Sequence, residues 1–117
     1  MSGLEMLRSV GDFRQINAQS RSRAHPTLLM RFRRNDLGHT RFGISTGKRV
    51  GSAVVRNKVR RRLRTILRRM SAQIEPGWDI LLVARAASAT ATQTELDTAL
   101  TGLMTAAGLL TPNKGTN

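Results

Sequence analysis

The residues best suited to chemistry in this sequence are basic, and they are concentrated in its middle third. Between residues 37 and 74 the chain has eleven lysines and arginines and no aspartate or glutamate. A guanidinium group can bind a phosphate through two parallel hydrogen bonds, and lysine binds it as a point charge. The 117-residue chain has a formal net charge of +13, which favours a polyanionic partner. Residue type and placement together predict a nucleic-acid-binding protein.

The spacing of these residues predicts that many of them share one face of a helix, from Ser52 or Ala53 to about Met70. A buried stripe at helical spacing is formed by Val55, Val59, Leu63, Ile66, Leu67 and Met70. The opposite arc holds Asn57, Arg60, Arg61, Arg64 and Arg68. Arg56 and Lys58 lie in the first turns, where the helix dipole disfavours cations unless an anion is bound. Because no acid is present as an i,i+4 partner, a nucleic-acid-binding face is favoured over a merely solvated one.

Other kinds of site receive little support from the sequence. The chain has no cysteine, and its two histidines, His25 and His39, are isolated in expected loops. Nothing places Asp12, Asp36 and Asp79 together as metal ligands. We therefore expect no metal site, no catalytic residue and no cofactor within the protein itself. With three phenylalanines and one tryptophan, recognition of nucleic-acid shape and backbone is favoured over extended base stacking.

The elements that must position the basic helix follow from capping and alternation signals. Ser9 and Asp12 predict a short first helix, and residues 19–26 are predicted to form a loop. Residues 27–34 and 41–46 are expected to pair as an antiparallel hairpin, and residues 47–51 leave room for a short third strand. An apolar run at residues 79–84 predicts a strand covered on both faces. Thr92 and Glu95 form a capping box for a last helix, which ends near Gly108.

These elements predict an α+β fold, an α/β sandwich with the order α-β-β-β-α-β-α and a small mixed sheet. We expect a single domain over residues 1–117, with a short arm at about 1–8 and a tail at about 110–117. No apolar run is long enough to span a membrane, and no secretory signal is evident. The sequence therefore predicts a soluble, cytoplasmic protein with no membrane partner.

Residues 41–64 resemble a known family signature. They read Arg-Phe-Gly-Ile-Ser-Thr-Gly-Lys-Arg-Val-Gly-Ser-Ala-Val-Val-Arg-Asn-Lys-Val-Arg-Arg-Arg-Leu-Arg. This segment is similar to the bacterial ribonuclease P protein, in which a basic turn leads into a Gly-x-Ala-Val-x-Arg-Asn helix. Asp12-Phe13 and residues 79–87 add weaker similarity. The resemblance implies a fold like the second domain of ribosomal protein S5, with a left-handed βαβ crossover through the basic helix.

The resemblance also implies a function, as the protein subunit that assists a catalytic RNA in cutting the 5′ leader from precursor tRNA. The expected partners are ribonuclease P RNA and precursor tRNA, with no obligate protein partner, and the RNA subunit is expected to carry Mg²⁺ and the endonuclease chemistry. The expected RNA contacts are Lys48, Arg49, Arg56, Asn57, Lys58, Arg60, Arg61, Arg64 and Arg68. Phe13 would line a cleft for the leader. Asn17 and Arg31 stand in this cleft where family members usually carry aromatic residues.

Two alternatives remain at this point. A ribosomal or nucleoid-type structural protein could use the same basic face passively, without a processing role. A nuclease acting by protein chemistry alone would need a cluster of carboxylates, which the sequence does not place together. Reconstitution of cleavage with a ribonuclease P RNA distinguishes the processing function from these two alternatives.

Overall fold

The structure is a computed structural model that describes residues 5–7 and 20–111. In this part of the chain five strands form one sheet, in the spatial order β1-β4-β5-β3-β2. The strands are β1 (Glu5–Met6), β2 (Arg21–Ala24), β3 (Leu28–Arg34), β4 (Arg41–Thr46) and β5 (Trp78–Ala84). Within the described ranges, two α-helices accompany the sheet, α1 (Ala53–Met70) and α2 (Gln93–Ala106). The expected α+β fold with a small mixed sheet is confirmed, while the first helix expected near Ser9 lies outside the described residues.

The expected hairpin between β3 and β4 is wrong, because β5 lies between them. β3 pairs antiparallel with β5, from Leu28 opposite Ala84 to Arg34 opposite Trp78. β4 pairs parallel with β5, and the connection between these two strands runs through α1. The apolar run in β5 explains this position. A strand with four consecutive buried residues, Asp79 to Leu82, is stable only as a central strand covered on both faces.

Alternation along the strands separates two faces of the sheet. In β3, Leu28, Met30 and Phe32 are buried, and the residues between them are half-buried. The buried residues join Ile80 and Leu82 of β5 in the main hydrophobic core, together with the apolar side of α1 and α2. On the other face, Leu7 and Leu81 form a second small cluster. Phe32 and Phe42 both belong to the main core.

The two helices end where the sequence predicts. Ser52 caps α1 by accepting a hydrogen bond from the Val55 backbone N–H. Thr92 and Glu95 form both bonds of a capping box at the start of α2. Gly108, just beyond α2, has a positive φ of 75°, which glycine adopts without a steric penalty. Local capping chemistry therefore determines both ends of α2.

Four connecting segments differ from the sequence expectation. Residues 21–24, expected in a loop, form edge strand β2, whose side chains are all exposed and so leave no apolar pattern. Residues 48–50, where there was room for a strand, form a single 3₁₀ turn. Within the expected arm, Glu5–Met6 pairs parallel with β4. Within the expected tail, Leu110 bridges to Ile74, and the Thr111 backbone N–H bonds to the Gln73 carbonyl at 2.6 Å.

Candidate nucleic-acid interface

The basic side of helix α1 is held in position by the burial of its apolar side. Five of its apolar residues are buried, and a sixth, Val55, packs at the edge of the core. The buried residues are Val59, Leu63, Ile66, Leu67 and Met70. Burial of a leucine or isoleucine side chain contributes about 1.5 to 3 kcal/mol, so this stripe fixes the rotation of the helix about its axis. The expected apolar stripe is confirmed.

The entry to α1 depends on a close approach of the backbone. Gly51 has a φ of 147°, and a Cβ atom at this position would lie 3.1 Å from the Cβ of Val55. A side chain there would be strained in the backbone and crowded by Val55. Gly51 therefore allows the chain to turn directly from the basic 3₁₀ turn into α1, which brings Lys48 and Arg49 next to the first turn of the helix.

The side of α1 that faces away from the core carries one row of polar and basic residues, which we call the outward row. Its members, Asn57, Arg61, Arg64 and Arg68, are all exposed. They follow one another at intervals of three or four residues, about one helical turn of 5.4 Å. No acidic residue lies in the first turn of α1, and none occurs in its sequence. The structure thus displays a line of guanidinium groups on a fixed support, and none of them forms an ion pair with an acid among the described residues.

Arg60 does not belong to the outward row, contrary to the sequence expectation. Its side chain is half-buried, and its guanidinium donates hydrogen bonds to Thr46 Oγ1 of β4 and, at 2.7 Å, to Asn57 Oδ1. At 100° per residue Arg60 lies at the border of the apolar stripe, and its long side chain reaches the neighbouring strand. Arg60 therefore joins α1 to the sheet and also orients the amide of Asn57.

Arg56 is also half-buried, on the same flank of α1 as Arg60. Its Nε atom is enclosed and has no hydrogen-bond partner among the described residues. Lys58, by contrast, is exposed on the other flank. Arg56 and Lys58 are both predicted from the sequence to contact RNA, but the structure places them in different surroundings.

Two further arginines of α1 serve the fold. Arg62 donates a 2.8 Å hydrogen bond to the Ala91 carbonyl, just before α2. Arg69 forms an ion pair with Asp97 of α2. Both residues belong to the ten bases from Lys48 to Arg69, but neither was expected to bind RNA. Because Arg62 and Arg69 are engaged in contacts within the fold, there is a structural reason not to assign them to RNA binding.

A basic cleft opens beside the start of α1, at the carboxyl ends of β4 and β5. Its volume is about 650 Å³, and Lys48, Arg49 and Arg85 contribute to its walls. All three residues are exposed. Arg85 is not among the RNA contacts predicted from the sequence, although the strand ending that contains it is part of the family resemblance. Only the parallel pairing of β4 with β5 brings Arg85 to the basic turn.

The sheet face away from α1 contains a second group of charges. Asp79 is fully buried and accepts hydrogen bonds from Arg41 at 2.9 and 2.8 Å and from Asn35 at 2.9 Å. Arg33 lies 3.4 Å from the same carboxylate. Burial by itself would raise the pKa of Asp79, but the hydrogen bonds from Arg41 and Asn35 and the charges of Arg41 and Arg33 outweigh it and lower the pKa below its ordinary value. Asp79 therefore acts as an internal counter-charge.

The expected leader cleft is only partly described. Arg31 is half-buried on the sheet face away from α1, opposite Leu81 of β5 and Ser22 of β2. Phe13 and Asn17 lie outside the described residues.

His25 lies in the turn between β2 and β3, where its Nδ1 atom accepts a hydrogen bond from the Thr27 backbone N–H at 3.1 Å. This places His25 in a loop, as expected.

Within residues 5–7 and 20–111, no group of three or more His, Cys, Asp or Glu side chains is placed to hold a metal ion. Over the same residues, no helix combines the length and the apolar character needed to cross a membrane.

Comparison with known protein sequences identifies one family. A family model described as Ribonuclease P matches residues 1–108. A ribonuclease P protein component from Herpetosiphon aurantiacus is 34% identical over 109 residues, which are 93% of this chain and 89% of that relative. One from Clostridioides difficile is 34% identical over 99 residues, with 84% and 87% covered.

Solved structures show the same likeness at the level of the fold. The RNase P protein of Staphylococcus aureus superposes with a TM-score of 0.84 at 26% identity, covering 90% of this chain and 96% of that one. The RNase P protein from Thermotoga maritima superposes with a TM-score of 0.78 at 29% identity, covering 85% and 94%. The chain is therefore similar to these proteins in sequence and in fold over most of its length.

Proposed function

The chain belongs to the ribonuclease P protein family, and from this premise we propose that it binds ribonuclease P RNA through α1 and the basic turn and assists removal of the 5′ leader from precursor tRNA. The observation that carries the proposal is the outward row of α1. Three arginines and Asn57 lie exposed in one line, on a helix whose opposite side is buried. Such a row can contact successive phosphates of a folded RNA without rearrangement of the protein.

The contacts to the RNA subunit divide into two groups in this proposal. Arg61, Arg64 and Arg68, with Lys48 and Arg49 of the turn, bind phosphates directly because they are exposed. Arg56 and Arg60 are half-buried, so they contribute mainly by lining the edge of the surface and by orienting neighbours such as Asn57. Lys58 lies at the margin of the interface.

The protein and the RNA subunit have separate tasks in this proposal. The RNA subunit and its bound Mg²⁺ ions carry out hydrolysis of the phosphodiester, as the family resemblance implies. The protein neutralises phosphates that would otherwise repel one another and so lowers the Mg²⁺ concentration at which the RNA works. It also contacts the leader of precursor tRNA through Arg31 on the sheet face and through Phe13 and Asn17, which lie outside the described residues.

The alternative of a ribosomal or nucleoid-type structural protein is less well supported. The matching family model and the two relatives reported above all carry the ribonuclease P name. A passive structural protein would use the same basic row, so the surface alone does not separate the two functions. Family membership favours the processing role.

The test is reconstitution of cleavage with a ribonuclease P RNA and a precursor tRNA at low Mg²⁺. We expect cleavage to be faster with the protein than with the RNA alone. Arg64→Gln should weaken binding to the RNA subunit, whereas Arg23→Gln, which removes another exposed charge from edge strand β2, should not. If the protein gives no acceleration, the structural alternative is favoured. Cleavage by the protein with Mg²⁺ in the absence of the RNA would contradict the separation of tasks.

A further inference from the structure

A second basic surface, built from strands instead of α1, lies around the single tryptophan of the chain. A cleft of about 300 Å³ is lined by Arg21 of β2, Phe32, Arg33 and Arg34 of β3, and Trp78 of β5. None of these five residues is acidic. We call this cleft the tryptophan pocket. It combines positive charge with an aromatic wall, a combination that the outward row of α1 does not have.

The aromatic wall of this pocket is held in place by the sheet. Trp78 is half-buried, and its backbone N–H donates to Thr40 Oγ1 at 3.2 Å. Its ring centroid lies 6.0 Å from that of Phe32, with the two planes tilted by 58°. Phe32 itself is part of the main core. An indole packed against a core aromatic has little freedom to rotate, so its position is set before any ligand binds.

Arg34 extends this wall toward the solvent. Its guanidinium carbon lies 5.0 Å from the Trp78 ring centroid, within the range of a cation–π interaction. Its Nη1 atom would be 3.9 Å from a Cβ atom at Gly77, so the guanidinium lies alongside that backbone. Arg34 is nevertheless exposed. A guanidinium supported by an indole offers a flat, positively charged surface on which a base can stack.

Arg21 supplies a charge on the opposite side of the pocket. It is exposed on edge strand β2 and pairs in register with Phe32, so its side chain emerges on the same face of the sheet as the pocket. Arg33, the remaining arginine of the lining, reaches instead toward the buried carboxylate of Asp79. Arg21 is thus the cation best placed to bind an anion beside a group stacked on Arg34.

We propose that the tryptophan pocket binds one nucleotide of single-stranded RNA, with its base against Arg34 and Trp78 and its phosphate on Arg21. An unstacked base supplies the flat ring and its phosphate supplies the charge, and single-stranded RNA is recognised by this combination. The inference rests on the proposed function, because it assumes an RNA partner. That nucleotide can come from the leader of precursor tRNA or from a single-stranded segment of the RNA subunit.

The pocket contains its own reporter, because Trp78 is the only tryptophan in the chain. The fluorescence of the whole protein is titrated with a short oligoadenylate, and with an abasic oligomer of the same length and charge. Fluorescence anisotropy of labelled oligomers shows in parallel that both are bound. We expect the oligoadenylate to quench Trp78 and the abasic oligomer to leave it nearly unchanged. Equal responses to the two oligomers, or no response at saturation, would overturn the proposal.

Variants separate the two parts of the contact. Arg34→Ala and Arg34→Lys should each weaken oligoadenylate binding about fivefold or more, because lysine keeps the charge but not the flat surface. Arg21→Ala should lower the slope of log affinity against log salt by about 0.7, the value for one phosphate contact in single-stranded nucleic acid. Arg23→Ala is the matched control, since it removes an exposed arginine from the same strand but outside the pocket. Identical behaviour of Arg21→Ala and Arg23→Ala would contradict the assignment.

The assembled ribonucleoprotein then identifies the source of the nucleotide. If the leader supplies it, Arg34→Ala should weaken binding of precursor tRNA but not of mature tRNA. If the RNA subunit supplies it, the same variant should weaken assembly and leave the discrimination between the two tRNAs unchanged. An Arg34→Ala protein that behaves as wild type in both assays, while the wild-type protein accelerates cleavage, would refute the pocket and leave the proposed function intact.

Discussion

Removing the arginines of the outward row should change the salt dependence of RNA binding by an amount that the structure allows to be calculated. The exposed cations proposed to bind phosphates directly are Arg61, Arg64 and Arg68 of α1 with Lys48 and Arg49 of the turn. If each contacts one phosphate, log affinity should fall against log salt with a slope of about 3.5, using the single-strand value per contact. A fourfold rise in salt should then weaken binding roughly a hundredfold.

The triple variant Arg61→Gln/Arg64→Gln/Arg68→Gln leaves only the two cations of the turn. Its slope should be about 1.4, so the same fourfold rise in salt should weaken binding only about sevenfold. Its free energy of unfolding should stay within about 0.5 kcal/mol of wild type, because the three side chains are exposed and make no ion pair with an acid among the described residues. A changed slope with unchanged stability would place these residues at the RNA and not in the core.

The measurement is fluorescence anisotropy with labelled ribonuclease P RNA at a series of salt concentrations, supported by thermal melts of each variant. Single variants provide the finer test, since each removed arginine of the row should lower the slope by about 0.7. Arg23→Gln on β2 should leave it unchanged. A triple variant with the wild-type slope, or a control with the same loss as Arg64→Gln, would refute the assignment of the interface to the outward row.

Three further predictions concern residues that stabilise the fold. Leu63→Ala should lower the free energy of unfolding by about 2 to 5 kcal/mol in a urea titration, because its side chain is fully buried, and a smaller loss than that of Arg64→Gln would contradict the orientation of α1. Arg60→Ala should cost about 1 kcal/mol in the same titration, because its bonds to β4 and to Asn57 are lost, and an unchanged midpoint would show that these bonds do not stabilise the fold. Asp79→Asn should cost about 3 kcal/mol at neutral pH, since two arginines lose their buried counter-charge. The pKa of Asp79 is lowered in the folded protein, so its contribution is complete above the unfolded value of about 3.9 and is lost as the pH falls through the lower folded pKa. Denaturation of wild type and Asp79→Asn as a function of pH should therefore show a difference that shrinks only in this acidic range, and a difference that declines near neutrality would contradict the prediction.

The basic interface could be predicted largely from local sequence. The apolar stripe of α1 and the position of Arg61, Arg64 and Arg68 opposite it follow from helical spacing, and the structure agrees. The capping box of α2 and the apolar alternation in β3 can likewise be recognised in the amino-acid sequence. These features are local, because the burial of one side of an element leaves its period in the sequence itself.

The order of the strands could not be predicted in the same way. The turn-rich segment between β3 and β4 favours a hairpin, yet β5 lies between these strands. Strand β2 was missed because an exposed edge strand needs no apolar alternation. Pairing depends on which strands compete for the same neighbour across the whole chain, and a local pattern does not contain that information.

The amino-acid sequence alone is therefore enough to predict which helix bears the arginines, which of its sides is buried, and which family the chain resembles. The partners of individual charges became apparent only in the folded chain. It placed Arg60 on β4, Arg85 beside the basic turn, and Arg34 over Trp78. The physical reason is the reach of arginine. The period of a helix or strand fixes the direction of the Cα–Cβ bond, but the end of a long side chain takes its partner from whatever the folded chain brings near it.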